Sequence, residues 1–271
     1  MSRQTFVLVR RSFLRIRGVL LSVGLLLAGF QFLLTQVATY LMRQSAYSQL
    51  SALVPDFVRT IAGPSTLAFM SFTGVVSLGY FHPIVIAMLV GLMITIATEP
   101  AAEVEMRFVD LTLARPLGRA ELISRTLIVL VLAGGLMLSA MGLGAWIGLT
   151  CCTPADAERP SGALTVSLAV NLASVMACWG GVALALAAAA RRRAVAVGIA
   201  SITAFGSYLL DYLGRAWEPA RPVSVLSPFH YFDPLSLIAG QPLNIRNLVV
   251  LTGIGLAATG VAYVVFSRRD I

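Results

Sequence analysis

The chain has 271 residues, 58% of them apolar and only 12% charged, where an ordinary soluble domain carries about 25% charged residues. So little charge cannot cover a water-facing surface of this size, which excludes a soluble globular enzyme, a disordered chain and a collagen-like one. The formal charge is +8 at pH 7, and all 20 basic residues are arginines. Without a lysine the chain can carry neither a Walker P-loop, whose lysine reaches the β- and γ-phosphates, nor Schiff-base chemistry. The arginines flank apolar segments, so they fit anionic lipid headgroups and membrane topology rather than nucleic acid. Three cysteines and two histidines are too few and too scattered for a metal site, and Cys151, Cys152 and Cys178 spell out no disulfide framework. The composition is that of an all-α integral membrane protein.

At the amino terminus Phe6, Val9, Phe13 and Ile16 fall on one helical face, and Arg3, Arg10 and Arg17 recur every seven residues on another. This spacing predicts an amphipathic helix lying in the membrane interface and leading into the first span. A crossing helix needs about 20 mostly apolar residues. Six stretches qualify, over residues 18–42, 79–98, 123–149, 163–190, 194–213 and 248–266. Between the first two, Tyr47, Leu50, Val54, Phe57, Val58 and Ile61 form an apolar stripe interrupted by Pro55, the pattern of a helix on the outer leaflet. Residues 65–78 read as a short helix packed at the outer face, with a seventh span as the alternative.

Six spans place both termini on one side, and positive charge selects the cytoplasm. With the amino terminus inside, the inner segments hold Arg3, Arg10, Arg11, Arg15, Arg17, Arg107, Arg115, Arg119, Arg125, Arg191, Arg192, Arg193, Arg268 and Arg269. The outer segments hold Arg43, Arg59, Arg159, Arg215, Arg221 and Arg246, fewer than half as many.

The inner loop between the second and third spans is the most informative part of the chain. Glu103 and Arg107, and again Glu121 and Arg125, stand four apart with the acid first, the order that favours helical ion pairs. Val104, Phe108 and Leu111 give one face an apolar character, and Pro116 ends the helix. A helix over about 99–115, parallel to the membrane, suits docking to a soluble partner through its apolar face. A partnerless interfacial helix would carry the same pattern.

Inside the spans the sequence holds no carboxylate, arginine or histidine near mid-membrane, which argues against ion-coupled transport. Asp211 lies near the outer end of the fifth span, one turn before Arg215. Gln31, Gln36 and Asn171 are candidates for pathway lining, with helix–helix hydrogen bonding as the alternative. Ala140, Gly144 and Gly148 form a small-residue seam that suits close helix packing. Between the fifth and sixth spans Pro219, Pro222, Pro228 and Pro234 break the chain, beside the interfacial aromatics Tyr208, Tyr212, Trp217 and Tyr231. An outer gate and simple anchoring both fit that region.

The stretch Glu99 to Arg119 resembles the signature of type-two ATP-binding-cassette export permeases, an acidic pair, then Gly-Thr, a leucine-rich turn and Pro-x-x-Arg. Glu103, Glu105, Asp110, Leu111, Leu113, Ala114, Arg115, Pro116 and Arg119 match it. Arg107 and Phe108 stand where the family has Gly and Thr, and Thr112 replaces a leucine. The run Ser227 to Pro234 and the closing Phe266-Ser267-Arg268-Arg269-Asp270-Ile271 resemble the family's outer loop and its terminal Phe-x-Arg-Arg-Asp.

The resemblance implies one permease domain over 1–271, in a bacterial inner or plasma membrane, and no ATPase activity of its own. It implies a cytoplasmic ATPase subunit that holds ATP and Mg and docks on Glu99, Glu103, Glu105, Arg107, Phe108, Leu111, Arg115, Pro116 and Arg119. A second permease chain, identical or related, would complete the pathway, and an extracytoplasmic accessory protein is a further candidate partner. The complex would move a hydrophobic or amphipathic lipid, peptide or drug outward. Two rivals remain at this stage: the same architecture transmitting motion to an extracytoplasmic partner, and an intramembrane enzyme built on His82 or His230 with a nearby serine.

Overall fold

The structure is a computed structural model that describes residues 3–44, 70–106, 119–154 and 157–268. The regular secondary structure of these residues is all helical, with six helices long and apolar enough to cross a membrane among them. The stripe from Tyr47 to Ile61 lies outside the described residues.

The first span belongs to helix α1 (Arg3–Arg43), which runs unbroken for 41 residues. At 1.5 Å per residue it is about 61 Å long, twice the hydrocarbon thickness. The predicted interfacial helix is therefore not a separate element. Its apolar face exists, but Val9 is buried in the main core and Phe13 and Ile16 pack against it. Protein, not lipid, covers that face, so nothing forces the chain to bend into the membrane plane.

Helix α2 (Phe72–Ser77) and a 3-10 turn (Leu78–Tyr80) follow. Six residues cannot span a bilayer, so the described part of 65–78 adds no seventh crossing of its own. Phe72 and Val76 pack with Ala38, Met42, Leu149 and Ala157, at the end of the bundle where α1 finishes. His82, extended as a residue before proline tends to be, separates this turn from α3 (Pro83–Ala97), and Pro83 occupies the helix start that suits it. With 15 residues α3 covers about 22 Å. It is preceded by α2 and followed by α4 (Glu99–Glu105), within one long apolar stretch from Phe72 to Glu105. Pro100 interrupts the helix between α3 and α4, since it has no N–H to donate back into the turn before it.

The remaining spans are α5 (Arg119–Cys151), α6 (Gly162–Ala189), α7 (Arg193–Ala216) and α10 (Ile245–Arg268). Each covers its predicted segment and overruns it by one to four residues at each end, except that α6 stops one residue short of Ala190. Between α7 and α10 the chain folds into α8 (Arg221–Ser224), a 3-10 turn (Pro228–Tyr231) and α9 (Pro234–Ile238). Phe229, Phe232 and Leu237 of this region are buried. Phe229 stacks on Trp179 at 5.7 Å and meets Tyr208 edge-on at 5.5 Å, so the connection is fastened to α6 and α7.

Helix α6 is the central element, packed against α3, α5, α7 and α10, and it carries the fully buried Leu168, Leu172, Trp179 and Leu184. Two seams need glycine. A Cβ on Gly144 of α5 would fall on the Ala28 backbone of α1, and one on Gly148 would sit 2.7 Å from Thr35 Cβ. The predicted small-residue seam is therefore the α1–α5 interface, with Thr39 and Thr153 hydroxyls 3.2 Å apart farther along it. A second seam joins α6 to α10, where a Cβ on Gly181 would strike the Gly255 backbone.

Candidate functional site

At one end of the bundle α4 sits beneath four helices and is tied to three of them by its carboxylates. Glu99 Oε1 accepts from Arg15 Nη2 of α1 at 2.6 Å, and Glu99 Oε2 lies 4.0 Å from Arg193 Nη2 of α7. Glu103 Oε1 accepts from Arg125 Nη1 of α5 at 2.7 Å. Glu105 Oε2 accepts the backbone N–H of Arg193 at 2.9 Å. That last contact satisfies a donor at the start of α7, whose N-cap residue, Arg192, makes no side-chain cap, and it places negative charge at the positive end of a helix dipole. Arg193 Nη2 also donates to Thr95 O of α3 at 3.0 Å. Between these contacts Ala101 packs against Ala187, Ala190 and Ala196, small residues that let α4 approach α6 and α7 closely.

The pairs differ in weight. The Arg15 side chain is 53% exposed, and such a pair contributes about 0–1 kcal/mol. Arg125 is 5% exposed and Glu103 14%. A buried pair adds little net stability over apolar residues, but removing one partner strands a buried charge.

One expected pairing does not form: Arg125 makes no ion pair with Glu121 and is met instead by Glu103 from α4. The other partner expected for Glu103, Arg107, lies outside the described residues. Arg107, Phe108, Leu111, Arg115 and Pro116 all lie outside the described residues; Arg119 opens α5, with its side chain outside them. Sequence reasoning missed the partners Arg15, Arg125 and Arg193 as members of this cluster. Arg125 carried the signal, since an arginine among Leu122, Ile123, Leu127 and Ile128 requires a carboxylate from elsewhere.

At the opposite end, Arg215 Nε donates to Asp211 Oδ2 at 2.9 Å, the pairing expected from their spacing. His230 Nδ1 lies 3.9 Å from Asp211 Oδ1 and 3.4 Å from Ser224 Oγ. A nucleophilic triad needs its serine and its carboxylate on different ring nitrogens. Here both face Nδ1, and Ser224 Oγ donates to Arg221 O at 2.8 Å instead. His82 accepts from Ile84 N at 3.3 Å as the cap of α3. Among the described residues neither histidine is held between a serine and a carboxylate as a catalytic base would be.

Residues 19–267, which include all six spans apart from their extreme ends, match the family described as multidrug efflux system permease Rv1217c, C-terminal domain. The chain belongs to this family. It is an efflux permease of the ATP-binding-cassette type. No curated protein and no solved structure matches it.

The polar residues within the permease's spans sit at packed positions. Gln31 is fully buried and donates from Nε2 to Val76 O at 2.6 Å, holding α2 against α1. Gly79 leaves room for it, since a Cβ there would collide with Gln31 Oε1. Asn171 is buried and Gln36 half-buried. Gln31→Leu is expected to lower stability by about 1 kcal/mol in detergent unfolding, the order of an interhelical hydrogen bond between membrane helices.

Proposed function

We propose that this permease is the membrane half of an ATP-driven exporter, powered by a separate cytoplasmic ATPase that docks on 99–119. Both termini and α4 then lie in the cytoplasm, as the arginine distribution favours. ATP and Mg are held by the partner, a second permease chain of the same or related sequence completes the pathway, and the membrane is a bacterial inner or plasma membrane. The observation that carries this reading is the attachment of α4, which continues α3 and grips α1, α5 and α7 through Glu99, Glu103 and Glu105. A push on α4 reaches four of the six spans, α3 through the chain itself and α1, α5 and α7 through polar contacts, so rigid displacement of α4 is an effective input for switching.

The cargo is a hydrophobic or amphipathic compound, drugs included. A groove of about 340 Å³ between α3 and α7, lined by Ile84, Val90, Ile94, Ala204 and Phe205, supplies apolar surface of the extent such a molecule needs. Phe108 is the aromatic anchor of the docking segment. Phe108→Asp is expected to reduce ATP-dependent accumulation of a lipophilic dye in inside-out vesicles about tenfold or more, the scale of losing an interface hot spot. Insertion and expression should stay at the unsubstituted level. Undiminished transport by that variant would remove the docking assignment.

A further inference from the structure

Beside the ion-paired cluster lies a cavity of about 40 Å³, more than a single water fills. Arg15, Arg125 and Arg193 line it from three different helices, against one lining carboxylate, Glu99. Ser12, Thr95 and Thr126 add polar groups, and Ile16, Ile96 and Val129 form an apolar wall.

Arg125 is the unusual member. Its side chain is 95% buried, and Nη1 is held by Glu103. Nε and Nη2, which together form the side-on edge of the guanidinium, have no hydrogen-bond partner among the described residues. Leaving two charged donors buried and idle is costly, and such groups call for a ligand. Of the neighbouring carboxylates, Glu99 is engaged with Arg15 and Arg193, Glu105 with the start of α7, and Glu103 Oε1 with Arg125 itself, while Glu103 Oε2 has no hydrogen-bond partner among the described residues. Glu121, one turn before Arg125, makes no ion pair with it, and its Oε2 is also without a partner.

We propose that this cavity binds an anionic phosphate group, taken side-on by Arg125 Nε and Nη2 and flanked by Arg15 and Arg193. Arginine's planar fork matches two phosphate oxygens at once. Arg15 and Arg193, with side chains 53% and 34% exposed, leave the cavity open to a group arriving from outside the protein. Ile16 and Val129 continue the wall with the apolar surface a lipid chain follows. The same donors would accept a soluble phosphate, and the two sources differ in what accompanies the anion.

The test uses the full chain purified in mild detergent. Native mass spectrometry with phosphatidylglycerol is expected to show one lipid retained per chain, and diacylglycerol, which lacks the phosphate, is expected not to be retained. Arg125→Lys keeps a cation for Glu103 but loses the side-on edge, and should cut retention about tenfold. Arg193→Gln, at a half-exposed position that threatens the fold less, should cut it severalfold. A parallel arm measures thermal stabilisation by inorganic phosphate. Stabilisation that Arg125→Lys abolishes, without lipid retention, supports the site and assigns it to soluble phosphate. Lipid retention and phosphate response that are both indifferent to the two substitutions would overturn the proposal.

Discussion

Glu103→Ala is expected to destabilise the permease by about 3–5 kcal/mol, because it strands the buried guanidinium of Arg125. The loss exceeds the net value of the pair. Arg125 already carries two idle donors, so among the described residues Glu103 Oε1 is its one hydrogen-bond partner, and removing it leaves the buried charge without that compensation. The double replacement Glu103→Ala with Arg125→Leu removes both charges together and should recover most of the stability. Thermal unfolding of the four members of this cycle in one detergent measures the coupling directly. A Glu103→Ala variant as stable as the parent would show that α4 is not fastened to α5 through this pair. Glu103→Arg would set two arginines against each other, so it tests the fold rather than partner binding, and Phe108 is the cleaner probe of docking.

Gly181→Val is expected to cost about 3 kcal/mol, at the upper end of overpacking effects. The obstacle is backbone. A Cβ at Gly181 falls on the Gly255 carbonyl, and one at Gly255 would lie 2.7 Å from Ala177 O, so no side chain can swing aside. Helices α6 and α10 must separate, and α6 is the helix on which α3, α5 and α7 also pack. Gly253→Val, two residues from the contact with nothing within 4 Å of its added Cβ, is the matched control and should change stability by no more than about 0.5 kcal/mol. Equal losses at the two positions would mean that helix propensity, not the seam, sets the effect.

The six spans were legible because each is a long apolar run bounded by charge or proline, and their placement needed no knowledge of tertiary contacts. The α1–α5 seam was legible too, since Ala140, Gly144 and Gly148 recur every four residues on one helix. Gly181 and Gly255 carry no such pattern. Each is a lone glycine until α6 and α10 are laid together, and only the pairing makes a side chain impossible.

The ion-paired cluster failed to emerge for the same reason. Local spacing offered Glu103 a partner four residues on, and Arg125 one four residues back, while the fold joined the two to each other across 22 positions. The amino-terminal apolar face was read correctly as a face. Its occupant was not, because periodicity tells which residues seek cover and not whether lipid or protein provides it.

Co-purification tests whether this permease is driven by a separate ATPase docked on 99–119. The tagged chain is drawn in mild detergent from its native membrane, with and without Phe108→Asp, and accompanying proteins are identified and quantified by mass spectrometry. A stoichiometric ATPase with a Walker lysine is expected alongside the unsubstituted chain, and its loss from the variant. A chain that emerges without an ATPase across several detergents, or an ATPase held equally well by Phe108→Asp, would contradict docking on 99–119.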